Sequence, residues 1–298
     1  MPPHNTSDDV RLGLIAGLMA YTFWGAFPIY FKITEAVGPL EILAHRIVWS
    51  LPFALIIIVL RRQWSELKRA LKIPKLIGVL GLAAIALSVN WGVYIWAVQQ
   101  DHIFQASLGY YINPLMYVVV GLFFFQEKLT RLQALSVALA FLGVAVLTLY
   151  GGAFPYISLI LATSWTTYGI IRKQVEIEAI PGLVIETTLL FIPAAAFLIW
   201  LHTQGTLSFG SSASITGLLL LAGPVTVLPL WAFTIAARRL KLITLGMLQY
   251  IGPTGQFLLA LYFGETFTPA YAWCFGLIWL GIIIYSFDAY KARTKPLM

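Results

Sequence analysis

Charged side chains are scarce in this chain, and the few that fall inside apolar runs are the first places to look for chemistry. Glu41, His45 and Arg46 lie close together near the start of one such run. On a helix Glu41 and His45 are i,i+4 neighbours on one face. Ionisable groups in a membrane span are costly and usually face a partner or water. A histidine there can titrate near neutral pH and couple solute movement to protons. The competing reading has these side chains reaching back to the headgroups, which suits the deeper Arg46 least. Glu186 occupies the matching place in the second half of the chain, so one charged group near each mouth would suit gating. The Glu-His pair is too small for zinc, which takes three or four ligands. No metal or other cofactor is expected. A single cysteine, Cys274, excludes an internal disulfide and a cysteine-based metal site. HExxH, nucleophile-elbow and GxxxxGK[ST] motifs are missing, which argues against an enzyme or a self-contained ATP-driven pump.

A second set of candidates is uncharged. Tyr-Ile-x-Pro occurs twice, as Asn113-Pro114 and Gly252-Pro253 preceded by Tyr-Ile, 139 residues apart. Each proline removes an N–H and should kink its helix. A carbonyl freed at mid-membrane must find a partner or line a cavity, and Asn113 offers both a donor and an acceptor. Pro114 and Pro253 therefore read as hinges, with static packing kinks as the alternative. At similar depth lie Tyr21, Trp24, Asn90, Trp91, Tyr94, Tyr110 and Tyr111, and in the second half Trp165, Tyr168, Trp231, Gln249 and Tyr250. Amide and phenol groups among flat rings suit a neutral, zwitterionic or aromatic small molecule. Core packing and interfacial aromatic belts compete; the belt fits Trp49, Trp64 and Trp200 better, since they lie nearer span ends. Glu127 and Glu265 end the two proline-containing runs, and each is expected to cap the helix that follows it.

The elements that position these residues follow from composition. Of 298 residues 60% are hydrophobic and 10% charged, with mean hydropathy +0.85; a soluble domain carries about 25% charged residues. Ten apolar runs fall at about 12–31, 40–60, 76–98, 104–124, 131–150, 154–172, 181–201, 215–236, 243–263 and 270–290. Backbone groups in hydrocarbon must pair internally, so the expected fold is all-α and integral to the membrane, with ten transmembrane helices. Of 19 Lys and Arg residues, 17 lie in the terminal segments and in alternate loops, the 61–75 loop above all. The positive-inside rule then puts both termini in the cytoplasm. The net charge of +7 marks a membrane face that meets lipid headgroups, not nucleic acid. The first run has no cleavage site and reads as a retained helix.

The duplication extends beyond the prolines. Trp24 aligns with Trp165, Pro52 with Pro193 and His45 with Glu186, dividing the chain into five-helix repeats at about 1–150 and 151–298. Five is odd, so the repeats are inverted in the membrane. Inverted repeats give two near-equivalent conformations open to opposite sides, with substrate near the midplane. The expected function is a secondary-active permease for a small metabolite or drug-like molecule, proton-coupled or exchanging. A channel or facilitator is the alternative, and an intramembrane enzyme a remoter one.

Five blocks carry a resemblance: "AHRIVWSLPF", "NWGVYIWAV", "QASLGYYINPL", "LITLGMLQYIGPT" and "GETFTPAYAW". They resemble the EamA-type carriers of the drug/metabolite transporter superfamily and, within it, the RarD branch, over about Leu12 to Tyr290. The resemblance implies a bacterial inner-membrane permease; a monomer and a homodimer are both open for the chain. It also implies that helices one, three, four, six, eight and nine surround the pathway. It does not supply a substrate.

Overall fold

The structure is a computed structural model that describes residues 7–124, 130–152, 154–240, 244 and 248–294. Regular structure among the described residues is helical. It comprises α1 (Ser7–Gly25), α2 (Phe27–Ile33), α3 (Pro39–Leu60), α4 (Trp64–Ala70), α5 (Pro74–Gln99) and α6 (Ile103–Phe124), then α7 (Arg131–Gly151), α8 (Tyr156–Gln174), α9 (Ala179–Thr203), α10 (Ala213–Arg239), α11 (Ile251–Tyr262) and α12 (Pro269–Thr294). Seven stretches are long and apolar enough to cross a membrane, the first being α1 and α2 together. The polar content of α8, with Ser158, Ser164, Thr166 and Arg172 among its residues, lowers its hydropathy. A turn at 249–250 precedes α11.

The breaks have identifiable causes. The expected first run is interrupted at Ala26, between α1 and α2. Pro28 has no N–H to offer the Trp24 carbonyl four residues back. The Gln256 side chain of α11 donates to that carbonyl instead, at 3.2 Å. Gly25 makes room for the contact: a Cβ on Gly255 would stand 3.0 Å from the Gly25 Cα. The two matched prolines behave differently. Helix α6 runs through Pro114 without interruption. Pro253 lies in the first turn of α11, where a missing N–H removes no helical bond. The basic 61–75 segment is folded as well, because α4 occupies its centre.

Packing is mostly between the two halves of the chain. Helix α7 lies on α12, α1 and α3 on α10, α3 and α5 on α9, α6 and α5 on α8, and α11 on α6 and α1. Small residues let the α7–α12 pair approach; a Cβ on Gly281 would be 2.9 Å from the Ser136 carbonyl oxygen. Cys274 is buried at this contact as a small apolar packer. Phe104 meets the rings of Phe257, Phe267, Tyr271 and Phe275 in the largest apolar cluster. Large apolar residues such as Leu149, Ile192 and Ile283 face outward, as a bilayer solvent permits.

One end of the bundle carries the basic segments: the start of α1, the α3–α5 and α8–α9 connections, and the ends of α10 and α12. The opposite end carries the α2–α3, α5–α6, α9–α10 and α11–α12 connections.

Candidate functional site

Arg46 heads the candidate site. It is 1% exposed, so its side chain does not reach the headgroups. Register along α3 puts it where α2, α5 and α10 meet. Its Nε donates to Thr226 Oγ1 at 3.0 Å. The guanidinium lies 4.5 Å from the Trp91 ring centroid, 5.4 Å from Phe31 and 5.5 Å from Phe27. Flat rings attract such a cation through their quadrupole. Nη1 has no hydrogen-bond partner among the described residues.

Beside it runs a chain of contacts that leads through the bundle. The Tyr94 ring meets Phe31 and Tyr110. Tyr110 donates to Asn90 Oδ1 at 2.9 Å. Asn90 Nδ2 donates to the Leu161 carbonyl and to Ser164 Oγ, each at 3.0 Å, which ties α5 and α6 to α8. Tyr110 also packs edge-on against Trp165, and Trp165 against Tyr168. Tyr168 donates to Glu186 Oε2 at 3.3 Å, and the other Glu186 oxygen lies 3.5 Å from Arg172 Nη1. The chain thus passes from the second turn of α3 to the basic end. It unites Arg46, Trp91, Tyr94, Asn90, Tyr110, Trp165, Tyr168 and Glu186.

Glu41 and His45 are buried but belong to a separate latch at the opposite end. The Glu41 carboxylate accepts from Ser208 N at 2.7 Å and Ser208 Oγ at 2.9 Å, fastening the α9–α10 connection onto α3. His45 Nε2 lies 3.8 Å from Glu41, and His45 Nδ1 accepts from Trp49 Nε1 at 3.1 Å. Phe209 stacks on both His45 and Trp49. Trp49 is therefore part of this latch, while Trp64 and Trp200 are exposed, as a belt residue would be. Sequence reasoning missed Ser208, Phe209, Thr226, Phe27 and Phe31. Only the i,i+4 spacing of Phe27 and Phe31 on one helix face was available as a signal.

The remaining candidates do not join this group. Tyr21 and Trp24 pack with Phe233 in a cluster between α1 and α10. Tyr111 bonds Thr254 at 2.7 Å and stacks on Tyr250, beside α12. Trp231 borders a recess of about 30 Å³ near Arg61 and Glu178. Asn113 is 2% exposed, and its Oδ1 has no partner among the described residues. Gln249 is half-buried in the turn before α11. Glu265 does not cap the helix that follows it: its carboxylate accepts from Ile103 N and, at 2.9 Å, from Phe104 N, at the start of α6. Burial holds its carboxyl above the usual carboxylate range, more than these two N–H groups lower it. Glu127 lies outside the described residues. Among the described residues no group of His, Cys, Asp and Glu could hold a metal ion.

Residues 11–149 match the EamA-like transporter family. The chain is 42% identical over 289 residues to Protein RarD of Escherichia coli, covering 96% of this chain and 98% of that one. It belongs to the RarD branch of the EamA-like transporter family. An uncharacterized transporter of Vibrio cholerae is 43% identical over 286 residues, covering 95% of each chain. A crystal structure covering 97% of this chain and 100% of its own superposes with a TM-score of 0.60 at 19% identity, which shows the fold alone. Membership of the EamA-like family makes this a bacterial membrane transporter, and the matched segment contains Arg46, Asn90, Tyr94 and Tyr110.

Proposed function

We propose that the protein is a secondary-active permease with ten transmembrane helices, working by alternating access between inverted five-helix halves, 1–150 and 151–298. The order of helix pairings carries this reading. Let α1 with α2 be the first span, α3, α5, α6 and α7 the second to fifth, α8 to α10 the sixth to eighth, α11 the ninth, and α12 the tenth. Advancing every span by five turns the α1–α10 contact into α8–α5, α3–α10 into α9–α5, and α6–α8 into α11–α1, all of which occur. The α3–α9, α6–α11 and α7–α12 pairs map onto themselves and occur too. The most extensive contacts of the bundle thus have counterparts under exchange of its halves, while among the described residues α3–α5, α5–α6 and α6–α7 do not; a largely two-fold bundle of this kind suits the two opposite openings that alternating access needs.

Polar latches at both ends fit the same scheme. At one end Glu41 holds Ser208 and Glu265 holds the start of α6. At the other, Glu66 accepts from Glu178 N at 2.7 Å, Gln63 bonds the Glu178 carboxylate, and Arg172 pairs with Glu186. Opening to one side releases one set. The charge asymmetry supports the inner membrane of a bacterium with both termini cytoplasmic; the latch of Glu41 then lies on the outer side. The cargo is a small metabolite or drug-like molecule, held among the aromatic and amide groups between Arg46 and Trp165. Purified protein in liposomes tests the mechanism, with a radiolabelled solute chosen by its binding to the protein. Saturable uptake accelerated by unlabelled solute inside is expected, while conductance steps without counterflow would replace a carrier by a channel.

A further inference from the structure

Arg46 is the cation of the central group, and among the described residues no counter-ion meets its charge. The guanidinium has five donor hydrogens in a planar fork. It is 1% exposed, yet among the described residues its one hydrogen bond is from Nε to Thr226, and Nη1 has no partner there. No carboxylate among the described residues lies within ion-pair distance of it. Glu41 is engaged by Ser208, Glu186 pairs with Arg172, and Asp101 pairs with Lys32. The rings of Phe27, Phe31 and Trp91 soften the burial of the cation, but ring quadrupoles are weaker than a counter-ion.

Next to this cation, Tyr94 is buried and its hydroxyl also has no hydrogen-bond partner among the described residues. Its ring rests on Phe31, which Arg46 also faces. Two unmatched donors in one apolar ring cluster, one of them a charged fork, are the chemistry of an oxyanion site. A single positive charge matches a single negative one, and the surrounding rings suit an apolar remainder.

We propose that Arg46 and Tyr94 bind the carboxylate of a small organic monocarboxylate whose apolar part lies against Trp91, Phe31 and Tyr110. This deepens the permease reading by naming its substrate class, and it rests on that reading for the step from binding to transport.

Purified protein in chloride-free buffer at pH 7 provides the test. Its thermal midpoint is measured with acetate, benzoate, indole-3-acetate, the neutral isostere benzamide and phenyl phosphate. Benzoate and indole-3-acetate should raise the midpoint in a dose-dependent way, benzamide should not, and phenyl phosphate should act more weakly. Arg46→Gln should weaken the benzoate response at least tenfold, and Tyr94→Phe severalfold; the latter carries the test if Arg46→Gln fails to fold. The proposal is overturned by an equal response to benzamide, by the same shift from sodium chloride alone, by a response that survives both substitutions, or by no response to any carboxylate. Counterflow of other solutes with no response to carboxylates would end this inference and leave the permease standing. Carboxylate binding without counterflow would do the reverse.

Discussion

Gly223 lies where α10 crosses α3, and replacing it with alanine should disturb Arg46 from a distance. The added methyl carbon would stand 2.7 Å from the Trp49 carbonyl carbon and 2.8 Å from Phe53 Cδ2, against 3.4–4 Å for ordinary contact. Helix backbone cannot step aside as a side chain can, so α10 must recede by roughly 1 Å, an overpacking that costs about 1–3 kcal/mol. Thr226, less than a turn further along, moves with it. Its 3.0 Å bond from Arg46 would lengthen to roughly 4 Å, outside hydrogen-bond range. A bond to a charged group contributes about 1.5–3 kcal/mol. Alanine regains about 1 kcal/mol of helix propensity, leaving a net loss of about 2–5 kcal/mol.

Gly217 on the same helix is the control, because nothing lies within 4 Å of a Cβ there. Both alanine variants share the propensity gain, so the remaining ~2.5–6 kcal/mol, at ~2–4 °C per kcal/mol, should make Gly223→Ala melt roughly 5–24 °C below Gly217→Ala. The single cysteine, fully buried as Cys274, reports unfolding through a thiol-reactive fluorophore without further engineering. A double-mutant cycle isolates the coupling: Thr226→Val should destabilise the wild type but cost little once Gly223→Ala has already broken the bond. Equal melting of the two alanine variants, or fully additive effects of Gly223→Ala and Thr226→Val, would refute the link between the crossing and Arg46.

Three further outcomes follow from named contacts. Burial raises the Glu265 carboxyl in the folded protein, so the folded state holds that proton more tightly than the unfolded chain. The resulting stability is complete below the unfolded value of about 4.3 and is lost as pH rises through the folded one. Glu265→Gln should flatten this fall in the melting temperature, and an unaltered pH profile would contradict it. Glu41→Gln weakens the charged acceptor of Ser208; a loss of about 1.5–3 kcal/mol should raise amide hydrogen exchange at Ser208 some ten-fold or more, and unchanged protection would count against the latch. Pro253→Ala adds an N–H in the first turn of α11 that can extend the helix back across the turn at 249–250, and should slow counterflow more than Pro114→Ala, which changes a helix already continuous; identical rates would remove the hinge.

The helices were readable because the constraint behind them is local. Backbone groups in hydrocarbon must be paired internally, so an apolar run is helical, and α3 and α7 begin and end within a residue or so of the runs. The break at Ala26 was written in Pro28, but its rescue depends on Gln256, 232 positions away. Arg46 shows the same limit. Its position in a span was plain, but its burial depends on the register of α3 against α2, α5 and α10, and one chain's pattern does not contain that register. The Tyr-Ile-x-Pro repeat likewise did not reveal that α6 continues where the ninth run breaks.

Glu265 shows why a correct local rule can name the wrong partner. A carboxylate just before a helix favours the positive end of that helix's dipole, which pointed to α12. Helix α12 needs no such help: Thr268 stands at its N-cap and accepts from Tyr271 N at 3.3 Å. Helix α6 starts directly after His102, without a serine, threonine, aspartate or asparagine at that position, so its first N–H groups lack a local acceptor. The bundle brings the start of α6 beside the α11–α12 connection, and the carboxylate goes to the helix end with the unmet donors. The dipole rule identifies a charge that seeks a helix end, and the inventory of caps decides which end receives it. Moving a cap tests this directly: His102→Ser should give α6 its own acceptor and reduce the cost of Glu265→Gln, whereas an undiminished cost would show that Glu265 stabilises this end of the bundle by some other contact.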